Sequence, residues 1–253
     1  MSRGERVVEA IPNVTIREDL RKVMEIGRWN IAPSQEILVA VARVVEGEPA
    51  RAGAPGVELM RWGLVPSWAK DAAMGNRMIN VRAETLREKP AFRRCLERRR
   101  CAIVADGFYE WRARADGKGK TPMYIRMRDG RAFAFAGLWD TWKDARGAVL
   151  NSCTIITTEP NSLLAAIHNR MPAILPAAGI AQWLDSRQQS AENAARWLAP
   201  YPADEMEAFP VSRAVNNVRN EGAELARPAA ETDPVRAESE APDARDTSQG
   251  SLF

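Results

Sequence analysis

The sequence is poor in the residues that build disulfide frameworks and structural metal sites. It has three cysteines and one histidine in 253 residues. An odd number of thiols, no C-x-x-C spacing and no clustered histidines argue against a disulfide framework and a structural zinc site. We therefore expect buried thiols at Cys95, Cys101 and Cys153, with no metal and no cofactor.

Long apolar runs are also missing. No stretch approaches the length needed to cross a bilayer, and the N-terminus lacks the apolar segment of a signal peptide. These absences predict a cytoplasmic protein without a membrane partner. Because 45% of the residues are hydrophobic, the chain can still bury a full core, and one globular body is expected.

Charge is unevenly distributed along the chain. The net charge is +3, but the segment 228–253 holds six acidic and two basic residues, a net of −4, so the body carries about +7. The composition of this segment predicts a disordered acidic tail after a body at 1–227. A basic body indicates a polyanionic partner only weakly. The arginine cluster at 93–100 adds local positive potential, although such a run is commonly a solvated helix face.

Periodicity predicts an α+β body. The predicted helices are 17–26, 90–97, 159–167, 177–184 and 192–198. The predicted strands are 37–45, 57–62, a run from 101, 122–127, 132–138 and 149–158. The segment before residue 17 looks irregular. The first two strands are expected to form an antiparallel pair, and those around Asp129-Gly130 to form a meander.

A carboxylate follows the most apolar of these strands. The run from Cys101 turns at Asp106-Gly107 and places Glu110 between Tyr109 and Trp111. Partial desolvation there would raise the pKa of Glu110 toward the range useful for proton transfer. The alternative is that Glu110 simply points outward on an alternating strand.

Polar residues elsewhere can also be interpreted either as part of a functional site or as ordinary surface or capping residues. In an extended segment, Asn80, Arg82 and Glu84 share one face, which indicates either a site or a solvent-facing strand edge. His168, the sole histidine, ends a short predicted helix. It suits proton transfer near neutral pH, or it merely caps the helix.

Six motifs follow one another along the chain. They are Trp29-Asn-Ile-Ala-Pro33, Arg61-Trp-Gly-Leu-Val-Pro66, Ile79-Asn-Val-Arg-Ala-Glu-Thr85, Ala105-Asp-Gly-Phe-Tyr-Glu-Trp111, Ile167-His-Asn-Arg-Met-Pro172 and Pro210-Val-Ser-Arg-Ala-Val-Asn-Asn-Val218. Together they resemble the SOS response-associated peptidase (SRAP) family, whose members process abasic sites in DNA, and the resemblance covers roughly residues 28–227. The implied fold is a single β-rich α+β domain with a curved antiparallel sheet, peripheral helices and a positive groove for single-stranded DNA.

The resemblance also implies a chemistry. Asn80, Glu110 and His168 match family catalytic positions. In the family, an N-terminal cysteine attacks the ring-opened sugar of an abasic site, forming an imine through its amine and a thiazolidine through its thiol. Glu would move protons at the amine, His would assist ring opening, and Asn would orient the N-terminal residue. Any peptidase activity would be confined to removing residues ahead of the nucleophile.

The DNA-binding residues are expected to be arginines and tryptophans. Arg82 is placed to bind phosphate, and Trp68 and Trp111 to stack on or wedge against bases. Arg170 and Arg213, each within one of the motifs, complete the expected set. The polar segment 209–222 around Arg213 is a further candidate for phosphate contacts.

The first catalytic residue departs from the family pattern. The family begins Met-Cys-Gly-Arg, whereas this chain begins Met-Ser-Arg-Gly. Ser2 keeps an amine, which allows a reversible imine, but it has no thiol. Three explanations stand open: a mis-called start, an imine-only or lyase variant, and a non-catalytic DNA binder.

The chain ends in Gln249-Gly-Ser-Leu-Phe253, which resembles the pentapeptide by which bacterial repair proteins bind the sliding clamp. Leu252 and Phe253 would fill an apolar pocket while Gln249 makes polar contacts. The sequence thus predicts a nucleoid-associated protein that acts on single-stranded DNA at abasic sites. The alternative function is a DNA-binding module tethered to the clamp.

Overall fold

The computed structural model describes residues 4–11, 13–25, 27–42, 55–88, 90–185 and 190–229. The helices are α1 (Gly4–Ala10), α2 (Glu18–Glu25), α3 (Pro90–Arg98), α4 (Ser162–Ala165), α5 (Ala177–Leu184) and α6 (Ala191–Ala195). The strands are β1 (Glu36–Val41), β2 (Gly56–Trp62), β3 (Asn80–Arg82), β4 (Arg100–Ala105), β5 (Phe108–Ala113), β6 (Lys120–Met127), β7 (Phe133–Lys143), β8 (Val149–Thr158), β9 (Met171–Pro172), β10 (Ile174–Leu175) and β11 (Met206–Pro210). None of the helices within these ranges is long and apolar enough to cross a membrane.

Five strands of the larger sheet close into a ring. The order β7-β4-β1-β2-β8 is completed by pairing of β8 with β7, so these strands form a small barrel. The short strands β3, β9 and β10 extend it. Closure removes the unpaired edges that an open sheet would expose along these strands.

Alternation along the strands divides the interior into two cores. Leu38, Ala102 and Ala134 belong to a first core shared with helices α1, α2, α3 and α5. Val39, Ile103 and Phe135 belong to a second core. Because helices pack on the outer side of a barrel, the first core is outside the ring and the second core is inside it.

The smaller sheet, in the order β11-β6-β5, covers the second core. Met123 and Ile125 of β6 and Phe108 of β5 face that core. On the opposite face of this sheet, Tyr124 packs with Val211 in a third, small cluster.

The fold class is confirmed, but two details of the predicted topology are wrong. The β8 strand runs parallel to β2 and β3, so the sheet is mixed rather than wholly antiparallel. No meander joins β6 to β7, because β6 pairs with β5 and β11 while β7 pairs with β4, β8 and β10. The turn at Asp129-Gly130 therefore carries the chain from one sheet to the other.

The local predictions are more accurate than the topology. The predicted antiparallel pair is formed by β1 and β2, and β8 and α5 have their predicted bounds. The segment before residue 17 contains α1, a helix that the sequence did not reveal. Its Val7 is 1% exposed and packs in the first core.

Asn30 connects two motifs that are far apart in the sequence. Its side-chain nitrogen donates to the carbonyls of Val215, Asn217 and Asn220 at 3.0, 3.1 and 3.3 Å. The side chain is buried, and the carbonyls it satisfies belong to the segment that the sequence assigned to phosphate contacts. Much of that segment therefore has a structural role.

Replacing Asn30 by Ala is expected to lower the free energy of unfolding by about 1–3 kcal/mol, because it leaves the buried Val215 carbonyl and two part-buried carbonyls without this donor. Urea denaturation measures this change. Asn193→Ala, at an exposed position on α6, is the control and should change stability by no more than about 0.5 kcal/mol. Equal stability of the two variants would contradict the structural role of Asn30.

The body extends to the last described residues. Pro228 forms a bridge with Val211, and the Ala229 amide donates to the Pro210 carbonyl at 2.9 Å. From residue 230 onward the predicted acidic tail lies outside the described residues, and so do Gln249, Leu252 and Phe253 at its end. Ser2 also lies outside them.

Candidate functional site

Glu110 points toward the second core and not toward solvent. In the ladder between β5 and β6 it is paired with Met123, which faces that core. Directly paired residues lie on the same face of a sheet, so Glu110 shares this face. It is half-buried, and burial raises the pKa of its carboxyl group. The outward orientation considered from sequence is wrong.

Two cations counteract part of this desolvation. The charge of a protonated His168 lowers the pKa of Glu110 most, and the charge of Lys120 lowers it less. Lys120 is paired with Ala113, so alternation places it with Trp111 on the face opposite Glu110, and only its charge acts on the carboxylate. The sequence predicted that Glu110 and His168 share one site but did not identify Lys120.

His168 lies just after α4, whose residue Leu164 is buried in the second core. The Arg170 amide donates to the His168 Nδ1 at 3.2 Å, and the Arg170 carbonyl is 3.1 Å from the same nitrogen. Nδ1 therefore has a backbone partner whether it accepts or donates. The ring thus contacts the loop beyond the helix and does not act as a helix cap.

Asn80 and Arg82 reach the inner side of the ring from β3. They are paired in parallel register with Ile155 and Thr157, and Ile155 lies in the second core. Val81 between them lies in the first core. Alternation therefore places both polar side chains on the inner side, where both are exposed at the rim. Asn80, Arg82, Glu110 and His168 thus all border the second core.

Trp68 is the most exposed tryptophan and stands on a well-anchored loop. Its side chain is 63% exposed. The Ser67 amide donates to the buried Asp140 carboxylate at 2.9 Å, and the Trp142 indole donates to the Ala69 carbonyl at 2.7 Å. An exposed aromatic ring on a fixed loop suits stacking against a base.

Trp111 is adjacent to Glu110 in sequence but lies on the opposite face of β5. It is paired with Pro122 and its indole donates to the Asn216 side chain at 2.8 Å. Trp111 could therefore contact DNA bound beside Glu110 only if the DNA extended around the edge of β5. Arg213 is exposed on the 3₁₀ helix Arg213–Asn216.

Arg170 is engaged within the protein. Its Nη1 and Nη2 donate to the two carboxylate oxygens of Glu84, each at 2.9 Å, and Nη2 also donates to the Thr157 carbonyl at 2.6 Å. No sequence pattern indicated this ion pair, because its partners are 86 positions apart.

All three cysteines are buried, as the sequence predicted. Burial raises the pKa of Cys95 to about 11 and raises the pKa values of Cys101 and Cys153 further. Such thiols are poor nucleophiles, because the thiolate is the reactive form.

Comparison with known proteins is decisive for the family. The profile of the SOS response associated peptidase (SRAP) family matches residues 5–218. The chain belongs to this family. The abasic site processing protein YoaM of Bacillus subtilis is 49% identical over 197 residues, 78% of this chain and 83% of YoaM. The abasic site processing protein HMCES of Rattus norvegicus is 31% identical over 230 residues, 79% of this chain and 65% of HMCES.

The fold is shared with a solved structure. A protein from Bacteroides thetaiotaomicron superimposes with a TM-score of 0.67 at 28% identity, over 78% of this chain and 82% of that protein. The resemblance inferred from the six motifs is therefore confirmed. The matched SRAP region includes every predicted site residue from Trp68 to Arg213 and leaves Ser2 outside.

Proposed function

We propose that this SRAP protein processes abasic sites in single-stranded DNA, in a reaction that begins with an imine between its N-terminal amine and the sugar aldehyde. The observation that carries the proposal is Glu110, a half-buried carboxylate that faces the second core and whose pKa is raised by burial and lowered in part by the charge of His168. The names of the relatives, which are abasic site processing proteins, support the substrate.

The side chains at the rim have distinct roles in this proposal. Glu110 transfers protons at the attacking amine, a role that burial favours by raising its pKa above that of an ordinary glutamate. His168, held through Nδ1 by the Arg170 backbone, assists opening of the sugar ring. Asn80 orients the N-terminal residue.

The test is incubation with single-stranded DNA that contains one abasic site, followed by denaturing electrophoresis with and without borohydride. The Ser2 protein should yield an adduct only after reduction, because borohydride traps an imine. DNA without an abasic site is the control. No adduct under either condition would contradict an imine-forming enzyme.

Arg82 is proposed to bind a phosphate of the DNA. Arg82→Ala should weaken binding to all single-stranded sequences alike and lower the salt slope of log K by about 0.7, the value for one phosphate contact. Fluorescence anisotropy across a salt series measures both. Arg93→Ala, exposed on α3 outside the ring, is the matched control. A larger loss from Arg93 than from Arg82 would place the DNA on the helical side instead.

A second candidate is a non-covalent DNA-binding module tethered to the sliding clamp through Gln249, Leu252 and Phe253. The burial of all three thiols and the serine at position 2 favour it, since the described residues offer no exposed cysteine. Binding to abasic-site DNA without any borohydride-trapped adduct would support this candidate. Loss of clamp binding in Leu252→Ala with Phe253→Ala would test the tether.

A further inference from the structure

The strongest unexplained contact near the site is the ion pair of Arg170 with Glu84. Both carboxylate oxygens accept from the guanidinium at 2.9 Å, which is the bidentate geometry that a planar arginine fork favours. The Arg170 side chain is only 19% exposed, whereas that of Glu84 is 50% exposed. A third bond, to the Thr157 carbonyl, fixes the guanidinium to β8.

This contact joins the two segments that carry the site. The backbone of Arg170 supplies both partners of the His168 Nδ1, so the position of Arg170 determines where the imidazole lies. Glu84 is in the 3₁₀ helix Ala83–Thr85, directly after β3 with Asn80 and Arg82. The pair therefore connects the histidine loop to the strand that presents the other polar residues.

We propose that Glu84 is a positioning residue, which holds Arg170 and, through it, the imidazole of His168 in register with Asn80 and Arg82. Its effect on the reaction rests on the proposed function, but its effect on His168 does not. Both terminal nitrogens of Arg170 are already engaged in the protein, so the role of this arginine is to fix the loop before it is to bind phosphate.

The chain offers a direct readout of this role, because His168 is its only histidine. The imidazole Cε1–H resonance of the full-length protein therefore reports one residue without DNA and without assignment. We expect a single sharp line in the unchanged protein, and a displaced or broadened line in Glu84→Gln and in Arg170→Lys. Lysine keeps the charge of Arg170 but lacks the planar guanidinium that makes the bidentate contact.

Glu84→Asp separates positioning from charge. Aspartate keeps the negative charge near the histidine but is one methylene too short for the bidentate contact. Positioning predicts that Glu84→Asp displaces or broadens the resonance by at least about half as much as Glu84→Gln. A resonance unchanged in Glu84→Asp would overturn the proposal, since only charge would then matter.

Glu207→Gln is the matched control. Glu207 accepts from Arg126 at 2.7 Å on the outer face of the small sheet, away from the histidine loop. Its loss should leave the His168 resonance in place. Melting temperatures of all variants identify any that unfold, and Glu84→Asp, the mildest change, keeps the test decisive. A resonance that moved as far in Glu207→Gln as in Glu84→Gln would overturn the proposal.

The reaction provides the second arm. If the unchanged protein forms the trapped imine, Glu84→Gln should form it about tenfold more slowly at neutral pH and saturating DNA, with an altered pH profile. An equal rate and pH profile in Glu84→Gln would overturn the positioning role. An unchanged protein that forms no imine would instead contradict the proposed function, and the resonance would still test Glu84.

Discussion

Replacing the first four residues, Met-Ser-Arg-Gly, by Met-Cys-Gly-Arg is expected to produce a cross-link to abasic-site DNA that survives denaturing electrophoresis without reductant. After hydrolysis has removed Met1, the α-amine of the cysteine and the sugar aldehyde condense to an imine with loss of water. The thiolate then adds to the imine carbon, the nitrogen takes up a proton, and a five-membered ring closes. A serine hydroxyl is a much weaker nucleophile, so the Ser2 protein should stop at the reversible imine.

The fold should tolerate this change, because the residues that anchor α1 follow the four replaced positions. Arg6 donates to the Gly130 carbonyl at 2.8 Å, and Val7 is buried in the first core. The readout is the fraction of DNA shifted without borohydride. A protein that begins Met-Ala-Gly-Arg is the control and should give no shift, because it keeps the amine but has no thiol.

Two results would contradict this account of the missing nucleophile. One is a reductant-independent cross-link formed by the unchanged Ser2 protein. The other is a mass shift located on Cys95, Cys101 or Cys153, whose burial and raised pKa values argue against reactivity.

The parts of the fold that depend on local pattern could be predicted from the sequence. The β8 strand and α5 are mainly apolar segments, and their observed bounds equal the predicted ones. The α1 helix was missed because it is only seven residues long and depends on packing of Val7 against the barrel. A helix of this length gains little from its own hydrogen bonds.

The topology depends on contacts between residues far apart in sequence. A short turn at Asp129-Gly130 favours a hairpin, yet β6 and β7 join different sheets. What decides this is burial: Met127 and Phe133, on either side of the turn, both pack in the second core. Sequence spacing carries no information about that shared core.

The same limit applies to the site. Glu110 and His168 were predicted from their chemistry and their motifs, and in the structure the charge of His168 acts on the Glu110 carboxyl group. Lys120, and Glu84 as the partner of Arg170, were not identified, because their importance lies in distances between strands. Trp111 shows the converse, since a neighbour of Glu110 in sequence lies on the other face of the strand.

Glu110→Gln in the Met-Cys-Gly-Arg background is expected to slow cross-link formation by about 10²-fold, at the lower end of the range for loss of a general acid–base group. Glutamine keeps the size of the side chain but cannot accept or release the proton at the amine. Glu207→Gln removes a carboxylate on the outer face of the same sheet and should leave the rate unchanged. Single-turnover time courses with abasic-site DNA measure both rates.

The pH dependence tests the same group independently. Burial raises the pKa of Glu110, so the carboxylate needed to accept a proton is lost, as pH falls, at a higher pH than for an ordinary glutamate. The acid limb of the rate profile should accordingly lie above the usual glutamate value of about 4.3. His168→Gln and Lys120→Gln each remove a cation that lowers this pKa, so in both variants the limb should move to higher pH, further for His168→Gln. A limb that stays in place in both variants, or one that persists in Glu110→Gln, would show that another group controls the reaction.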